Sequence, residues 1–188
     1  MKPDYLRSKI SNYKPIAQEN SLQNSKLAAV FVLFYKYNNE LSLLLQIRSE
    51  NLQYHPGEIG FPGGSKEHND ANLYQTACRE VDEEIGISKS NIELIGELDA
   101  VLTSTKFLIY PFVGLIKTKS KFVLSSEVQK MLFVPINELN NQINWRYEYI
   151  FNENSLKNYK SFYYDGNIIF GATAKIINNL LNILNKQS

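Results

Sequence analysis

The order of predicted helices and strands indicates an α/β protein, a three-layer α/β/α sandwich built on a mixed central sheet. Two strongly apolar strands are predicted at 27–37 and 41–48, and the Asn-Asn pair between them favours a tight hairpin turn. Helices are predicted at about 71–86 and at 168–185, where apolar residues recur at helical spacing. Two substantial helices around a set of strands suit this layered architecture.

The other predicted elements are shorter and lie between or outside these four segments. A helix near 4–11 precedes the first strand, a loop covers 49–70, and Gly86 is expected to end the first long helix. Pro135 begins a loop and a short helix at 136–140. The remaining strands are predicted at 92–101, 107–117, 131–134 and 160–165.

Length and charge indicate one globular domain that acts on a small molecule. The 188 residues suffice to bury about 70% of the unfolded surface, so we predict a single domain over 1–188 with its core at about 27–181. Twenty basic and 19 acidic residues give a net charge of +1, which offers no general attraction for nucleic acid or an acidic membrane surface. An anionic substrate would be selected locally. A homodimer is compatible with the sequence, which does not decide the oligomeric state.

The compartment is predicted from the single cysteine and from the absence of a targeting segment. Cys78 has no partner for an intramolecular disulfide, and its place on the apolar side of the predicted helix favours a packed thiol over a nucleophile. The first 15 residues lack the apolar segment of a secretory signal, and no stretch of about 18 apolar residues could span a bilayer. We therefore expect a cytoplasmic protein without a membrane segment.

The segment REVDEEIG at 79–86 carries the most informative residues. At about 100° per residue with Glu80 at zero, Glu83 falls near 300° and Glu84 near 40°, so the acids flank the apolar stripe of one helix. At about 5 Å and an effective dielectric near 20, each pair of carboxylates repels by roughly 3 kcal/mol before solvent screening. A hard divalent cation such as Mg²⁺ would offset this repulsion. The alternative is a solvated acidic face on which Arg79 pairs with Glu83.

A glycine-rich loop directly upstream favours the metal interpretation. Residues 57–64 read GEIGFPGG and are followed by a charged segment and then by the predicted helix. Gly63 and Gly64 can adopt positive φ without steric cost, and a loop of this kind lets backbone groups approach phosphates closely.

Together, FPGG and REVDEEIG resemble the Nudix box, the signature of hydrolases that cut nucleoside diphosphates linked to another group. The second half of the box is complete from Arg79 to Ile87. In the first half, the expected spacing places Ser65 at the glycine, so Gly64 fits only if the loop is one residue longer. Asp70 then stands six residues after Gly64, where the box has an acid. The resemblance implies the Nudix fold.

The longer loop is similar to that of the coenzyme A pyrophosphatase branch of the family. The signature of that branch keeps register here at Leu44, Leu45, Arg48, Ser49, Gly57 and 61–64. Two positions depart from it, because Gln46 replaces a Thr and Gln53 replaces an Arg. Loss of the latter cation would weaken a contact with a substrate phosphate.

The resemblance implies the metal ligands and the residue that positions them. Glu80, Glu83 and Glu84 would share one to three Mg²⁺ or Mn²⁺ ions once substrate is bound, and the Gly64 carbonyl would add a further ligand. Arg79 corresponds to the arginine that holds a box glutamate in place, a role suited to its bidentate guanidinium.

The sequence leaves more than one candidate for the general base and more than one role for the residue expected to contact substrate. Nudix enzymes use either a box glutamate or an acid from a later loop, so the candidates are Glu83 and Glu127, the latter also interpretable as a plain surface residue. Arg48, at the end of a predicted strand, is expected either to grip a substrate phosphate or to form a structural ion pair. Gly63 and Gly64 are expected to contact the same phosphates.

Three functions follow from this resemblance. The leading one is metal-dependent hydrolysis of the diphosphate of coenzyme A or an acyl derivative, giving 3′,5′-ADP and 4′-phosphopantetheine. The second keeps the metals and changes the leaving group to that of ADP-ribose, a dinucleotide or a nucleoside triphosphate, which the box alone does not distinguish. The third is a nucleotide-binding module without catalysis, disfavoured because all the acids of REVDEEIG are present.

Overall fold

A computed structural model of the chain describes residues 1–16, 25–117, 120–152 and 155–186. The parts of the predicted core at 118–119 and 153–154 lie outside the described residues. The helices are α1 (Pro3–Ser11), α2 (Leu73–Ile85), α3 (Ile136–Asn140) and α4 (Gly171–Asn185). The strands are β1 (Lys26–Tyr37), β2 (Glu40–Arg48), β3 (Ile59–Gly60), β4 (Gly63–Ser65), β5 (Ile92–Glu97), β6 (Val101–Leu102), β7 (Phe107–Ile116), β8 (Val128–Pro135), β9 (Trp145–Asn152), β10 (Ser155–Tyr164) and β11 (Asn167–Ile169).

The central sheet is mixed, as predicted. Its main path runs β3-β2-β1-β7-β5, with β4 paired to β1, β6 to β7 and β8 to β2. Strands β1 and β7 are parallel, and the other pairs are antiparallel. The hairpin between β1 and β2 turns at Asn38 and Asn39, whose φ values of 47° and 66° are those of a tight turn with two left-handed residues.

Two apolar cores lie on opposite faces of this sheet and confirm the three-layer α/β/α sandwich. On one face α2 buries Ala77, Val81 and Ile85 against β1 and its neighbours. On the other face α4 and α1 pack against the sheet, with side chains such as Leu180 and Ile10 fully enclosed. Each face is therefore covered by helices whose apolar stripes meet the strands.

A second sheet of three strands, in the order β11-β10-β9, was not predicted. Only one strand, at 160–165, is predicted in this region, whereas the structure has a long hairpin over 145–164. Its signal was present in WRYEY (145–149), where aromatic and charged residues alternate as they do in a half-exposed strand. Trp145 and Phe162 anchor this hairpin in the core.

Smaller differences concern boundaries. The predicted strand at 92–101 is divided into β5 and β6, and the loop predicted at 49–70 contains the short strands β3 and β4. Helix α2 begins at Leu73 because the side chain of Asn72 caps it, accepting from the backbone N–H of Gln75 at 2.9 Å. Gly86 ends α2 with a φ of 70°, as predicted. Among the described helices, none is long and apolar enough to cross a membrane.

Candidate active site

Helix α2 exposes its three glutamates to very different degrees. The side chain of Glu84 is 5% exposed, that of Glu80 17% and that of Glu83 59%. This order follows the helical wheel, since Glu84 lies nearest the apolar stripe and Glu83 farthest from it. Cys78 is buried on the apolar face of the same helix, as predicted for a packed thiol.

Gly63 and Gly64, the glycine pair of the upstream loop, lie directly against Glu84 and Glu80, the two inner glutamates of α2. The backbone N–H of Gly63 donates to Glu84 Oε2 at 2.9 Å. A Cβ added to Gly64 would lie 2.3 Å from Glu80 Oε1, a distance that real Cβ atoms do not show. Gly63 itself has a φ of 152°, and a Cβ there would lie 2.4 Å from the Ala29 carbonyl oxygen. Gly63 is therefore required for the loop to pair this closely with β1, whereas a side chain at Gly64 would displace the Glu80 carboxylate.

Arg79 joins the end of the loop to the acids of α2. Its Nε and Nη2 donate to the two carboxylate oxygens of Asp70 at 3.2 and 3.1 Å, and Nη2 also donates to the Ser65 carbonyl at 3.2 Å. Its Nη1 lies 2.9 Å from Glu83 Oε2 and 3.0 Å from Glu80 Oε1. The guanidinium thus offsets part of the carboxylate repulsion expected from the sequence. Asp70, six residues after Gly64, stands where the longer loop register requires an acid.

The Asp70 carboxylate is held in its ionised form. Hydrogen bonds from Arg79 lower its pKa to about 2, against the opposing effect of burial, and the backbone N–H of Glu67 and the Thr76 hydroxyl also donate to it. Asp70 is 7% exposed. A buried, fully paired anion of this kind fixes the loop to the helix.

The inner glutamates experience the opposite environment. Burial raises the pKa of Glu84 to about 7, although the Gly63 N–H and the Gln46 side chain donate to its carboxylate and favour the charged form. Burial likewise raises the pKa of Glu80, partly countered by Arg79. A carboxylate pair that water cannot solvate well is the environment that a bound divalent cation would stabilise.

The carboxylate donors therefore fit the predicted metal, although the three predicted glutamate ligands do not all converge on one point. Within the described ranges, no three His, Cys, Asp or Glu side chains converge closely enough to form a preformed metal-binding group. Glu80 and Glu84 face the glycine pair, whereas Glu83 is turned toward Arg79 and solvent. Carboxylate oxygens are ligands that Mg²⁺ and Mn²⁺ prefer.

Two further predicted residues lie beside these acids. Arg48, at the end of β2, places Nη1 3.7 Å from Glu84 Oε1, and its buried Nε has no hydrogen-bond partner in the described structure. Glu127 is exposed in the turn before β8, and its charge is close enough to Glu80 to raise the pKa of that carboxyl. The backbone carbonyl of Glu127 accepts from the Ser49 N–H at 2.8 Å, which ties this turn to the end of β2.

A cavity of about 570 Å³ opens from the glycine pair and Arg48 across the sheet. Most of its walls were not among the site residues predicted from the sequence. They include the polar turn Thr103–Thr105, the apolar side chains of Val30, Phe107, Ile109 and Phe170, and the first residues of α4, Gly171 to Thr173. These residues come together through the pairing of β1 with β7 and the packing of α4. Gln53, which stands for the missing Arg, is exposed.

The fold and this arrangement define a hydrolase of the Nudix class. A family model of the NUDIX domain matches residues 26–153, and the chain belongs to that family. It is 33% identical over 165 residues to an uncharacterized Nudix hydrolase NudL of Yersinia enterocolitica, covering 86% of this chain and 83% of the relative. It is also 37% identical over 120 residues to the peroxisomal coenzyme A diphosphatase ndx-8 of Caenorhabditis elegans, covering 62% of this chain and 51% of the relative.

Solved structures agree on the fold. A MutT/nudix family protein from Enterococcus faecalis superposes with a TM-score of 0.54 at 14% identity, covering 97% of this chain and 68% of its own. An Ap4A hydrolase from C. elegans superposes with a TM-score of 0.51 at 20% identity, covering 58% of this chain and 80% of its own. At such identities the likeness concerns the fold alone.

Proposed function

We propose that this Nudix hydrolase cleaves the diphosphate of coenzyme A or an acyl derivative, giving 3′,5′-ADP and (acyl-)4′-phosphopantetheine. The observation that carries the proposal is the bidentate pairing of Arg79 with Asp70, because it supports the longer loop register that resembles the coenzyme A branch. The named activity of the C. elegans relative supports the same substrate.

The proposed metal site uses the acids of α2. Glu80 and Glu84 would hold Mg²⁺ or Mn²⁺, with Glu83 and the Gly64 carbonyl as the further ligands. Such an ion, when bound, neutralises diphosphate oxygens and lowers the pKa of the attacking water. Arg79 would position the carboxylates, since its Nη1 already contacts both Glu80 and Glu83.

The remaining residues would bind the diphosphate and accept a proton. Arg48 lines the cavity next to Gly63 and Gly64, which supports a role as a phosphate ligand. The candidates for the general base stay Glu83 and Glu127. The Glu83 carboxylate is already engaged by Arg79, whereas Glu127 lies in a separate turn and its charge acts on Glu80.

The direct test is to incubate the purified protein with coenzyme A and Mg²⁺ or Mn²⁺ and to follow 3′,5′-ADP by chromatography. The decisive comparison is kcat/KM for coenzyme A against ADP-ribose, dinucleotides and nucleoside triphosphates under the same metal and salt. Preference for any of these rivals by more than about tenfold, or roughly 1.4 kcal/mol in transition-state binding, would replace the coenzyme A assignment with the alternative substrate. Binding of nucleotide without hydrolysis of any of them would instead identify a binding module.

A further inference from the structure

The cavity has a second end that the hydrolytic residues do not use. Strand β1 pairs with β7 in parallel, so Lys26 lies beside Phe107 and Ala28 beside Ile109. Alternate residues of a strand face the same side of the sheet, and Ala28 and Val30 line the cavity. Lys26 therefore projects on the cavity side, just beyond Ala28.

The ammonium group of Lys26 is held at this end by an aromatic ring. Its Nζ lies 5.7 Å from the centroid of the Phe107 ring, and Phe107 itself lines the cavity. The backbone N–H of Lys26 donates to the Lys106 carbonyl at 2.9 Å, which fixes the start of β1 against β7. Over the described ranges of the chain, no carboxylate lies within salt-bridge distance of Lys26. The cation is thus exposed, and no carboxylate of the described residues neutralises it.

Hydroxyl groups lie in the turn that precedes Phe107. Thr103, Ser104 and Thr105 line the cavity in the turn that leads into Phe107. The Oγ1 atoms of Thr103 and Thr105 are 3.0 Å apart, and Thr103 Oγ1 also accepts from the Phe107 N–H at 2.9 Å. Since one hydroxyl donates to the other, the pair retains one O–H for an outside acceptor. A cation with neighbouring hydroxyl donors is suited to a phosphoryl group.

The distance between the two ends of the cavity limits how far apart the anionic groups of a ligand can lie. Val30 is paired with Gly63, and Lys26 lies four residues before it, roughly 13 Å along the strand at about 3.3 Å per residue. The floor between them is apolar, formed by Ala28, Val30 and Ile109. A matching ligand carries its diphosphate at Gly63, an apolar or aromatic group that packs on this floor and a further anion within reach of the flexible Lys26 side chain.

We propose that Lys26, with the Thr103–Thr105 turn, binds a phosphomonoester on the nucleoside half of the substrate and so selects substrates with a phosphate in addition to the diphosphate. This inference rests on the proposed function, because in coenzyme A that group is the 3′-phosphate. Lys26 acts in recognition and takes no part in the hydrolysis. Substrates without this phosphate, such as dephospho-coenzyme A, lose the contact and bind more weakly.

The test compares Lys26→Gln with Lys66→Gln on coenzyme A and dephospho-coenzyme A, which differ only in the 3′-phosphate. Lys66 is a matched control, because it is also exposed and its N–H donates to the Leu27 carbonyl, but it follows Ser65 and alternates to the opposite face of the sheet. Wild-type protein should prefer coenzyme A by about tenfold or more in kcat/KM, as one charge-assisted contact predicts. Lys26→Gln should remove most of this preference through KM and leave dephospho-coenzyme A within about twofold, whereas Lys66→Gln should keep the preference.

A binding measurement supports the same comparison without catalysis. In the wild type, 3′,5′-ADP should compete for the substrate site more strongly than 5′-AMP does. Lys26→Gln should remove this difference. Equal kcat/KM for the two substrates in wild-type protein, or an equal loss on both in Lys26→Gln, would overturn the inference and leave the proposed function standing. Cleavage of ADP-ribose or nucleoside triphosphates with neither coenzyme A form cut would overturn the proposed function, and this inference with it.

Discussion

Arg79 and Asp70 form a two-pronged ion pair, with Nε to Oδ1 at 3.2 Å and Nη2 to Oδ2 at 3.1 Å. The pair connects the end of the glycine loop to helix α2 across nine residues of sequence. Because the same guanidinium also contacts Glu80 and Glu83, the geometry of the loop and that of the acids are set by one side chain. Four predictions test this arrangement.

The first prediction concerns acid stability. The pKa of Asp70 is lowered from 3.8 to about 2 in the folded protein, so its ion pair stabilises the fold fully above about pH 4 and this contribution is lost as the pH falls toward 2. Asp70→Asn should lower the free energy of unfolding at pH 7 by about 2 kcal/mol and by much less at pH 2. Urea titrations at the two pH values measure this difference.

A matched control for Asp70 is Glu67→Gln. Glu67 also lies near Arg79, at 3.7 Å from Nη1, but its side chain is 63% exposed. Its removal should change stability by less than about 0.5 kcal/mol at either pH. An Asp70→Asn variant as stable as the wild type at pH 7 would contradict the anchoring role of the pair.

The second prediction concerns the buried carboxylate. Glu84→Gln keeps the shape of the side chain and removes an anionic ligand, so turnover should fall at least about 100-fold, or roughly 2.7 kcal/mol of barrier. Without metal, stability should rise, because a charge that burial disfavours is removed. Because the pKa of Glu84 is raised from 4.5 to about 7, the metal-free wild type loses stability as the pH rises from about 4.5 to 7, so the gain in Glu84→Gln should grow over this range, be complete above pH 7 and vanish near pH 4.

Asp82→Asn serves as the control for Glu84, since Asp82 is an exposed acid of the same helix. It should leave both turnover and the pH dependence of the melting temperature close to wild type. Near-normal turnover in Glu84→Gln would remove Glu84 from the metal site.

The third prediction separates the charge of Arg79 from its geometry. Arg79→Lys keeps one positive charge but cannot reach both Asp70 oxygens while contacting Glu80 and Glu83, so turnover should fall while metal affinity changes less. Kinetics at saturating metal and a metal titration on the same sample test the two quantities. If affinity collapses and turnover at saturating metal stays normal, Arg79 assembles the metal site rather than tuning the reaction.

The fourth prediction concerns the close approach of the loop to α2. In Gly64→Ala the new methyl group would lie 2.3 Å from Glu80 Oε1, so the carboxylate must move by more than an ångström. We expect a loss of turnover of about 10- to 100-fold with little change in far-UV circular dichroism. Gly60→Ala is the matched substitution, because the nearest atom to its Cβ, Thr173 Oγ1, is 3.8 Å away. Equal kinetics for the two variants would show that the position of Glu80 does not limit the reaction.

Local sequence signals predicted the elements that carry the hydrolytic residues. Gly86 ends α2 as predicted, because capping depends on a few neighbouring residues, whereas the Asn72 cap was not predicted. The order in which Glu80, Glu83 and Glu84 are exposed follows from their angles on one helix. The position of Asp70, six residues after Gly64, could also be predicted, because the spacing is counted directly in the sequence. The metal-ligand and general-base roles of these residues stay predictions.

The tertiary structure determined the contacts and the cavity that form between segments distant in sequence. The cavity and the position of Lys26 over Phe107 depend on strand pairing and helix packing between residues tens of positions apart. The same holds for the raised pKa of Glu84, which reflects burial beneath the Gly63 loop and beside Arg48. Periodicity and capping are properties of consecutive residues, so the sequence alone determined the helices, the hairpin and the glycine loop. Burial, charge environment and cavity shape are properties of the packed chain, so only the fold determined them.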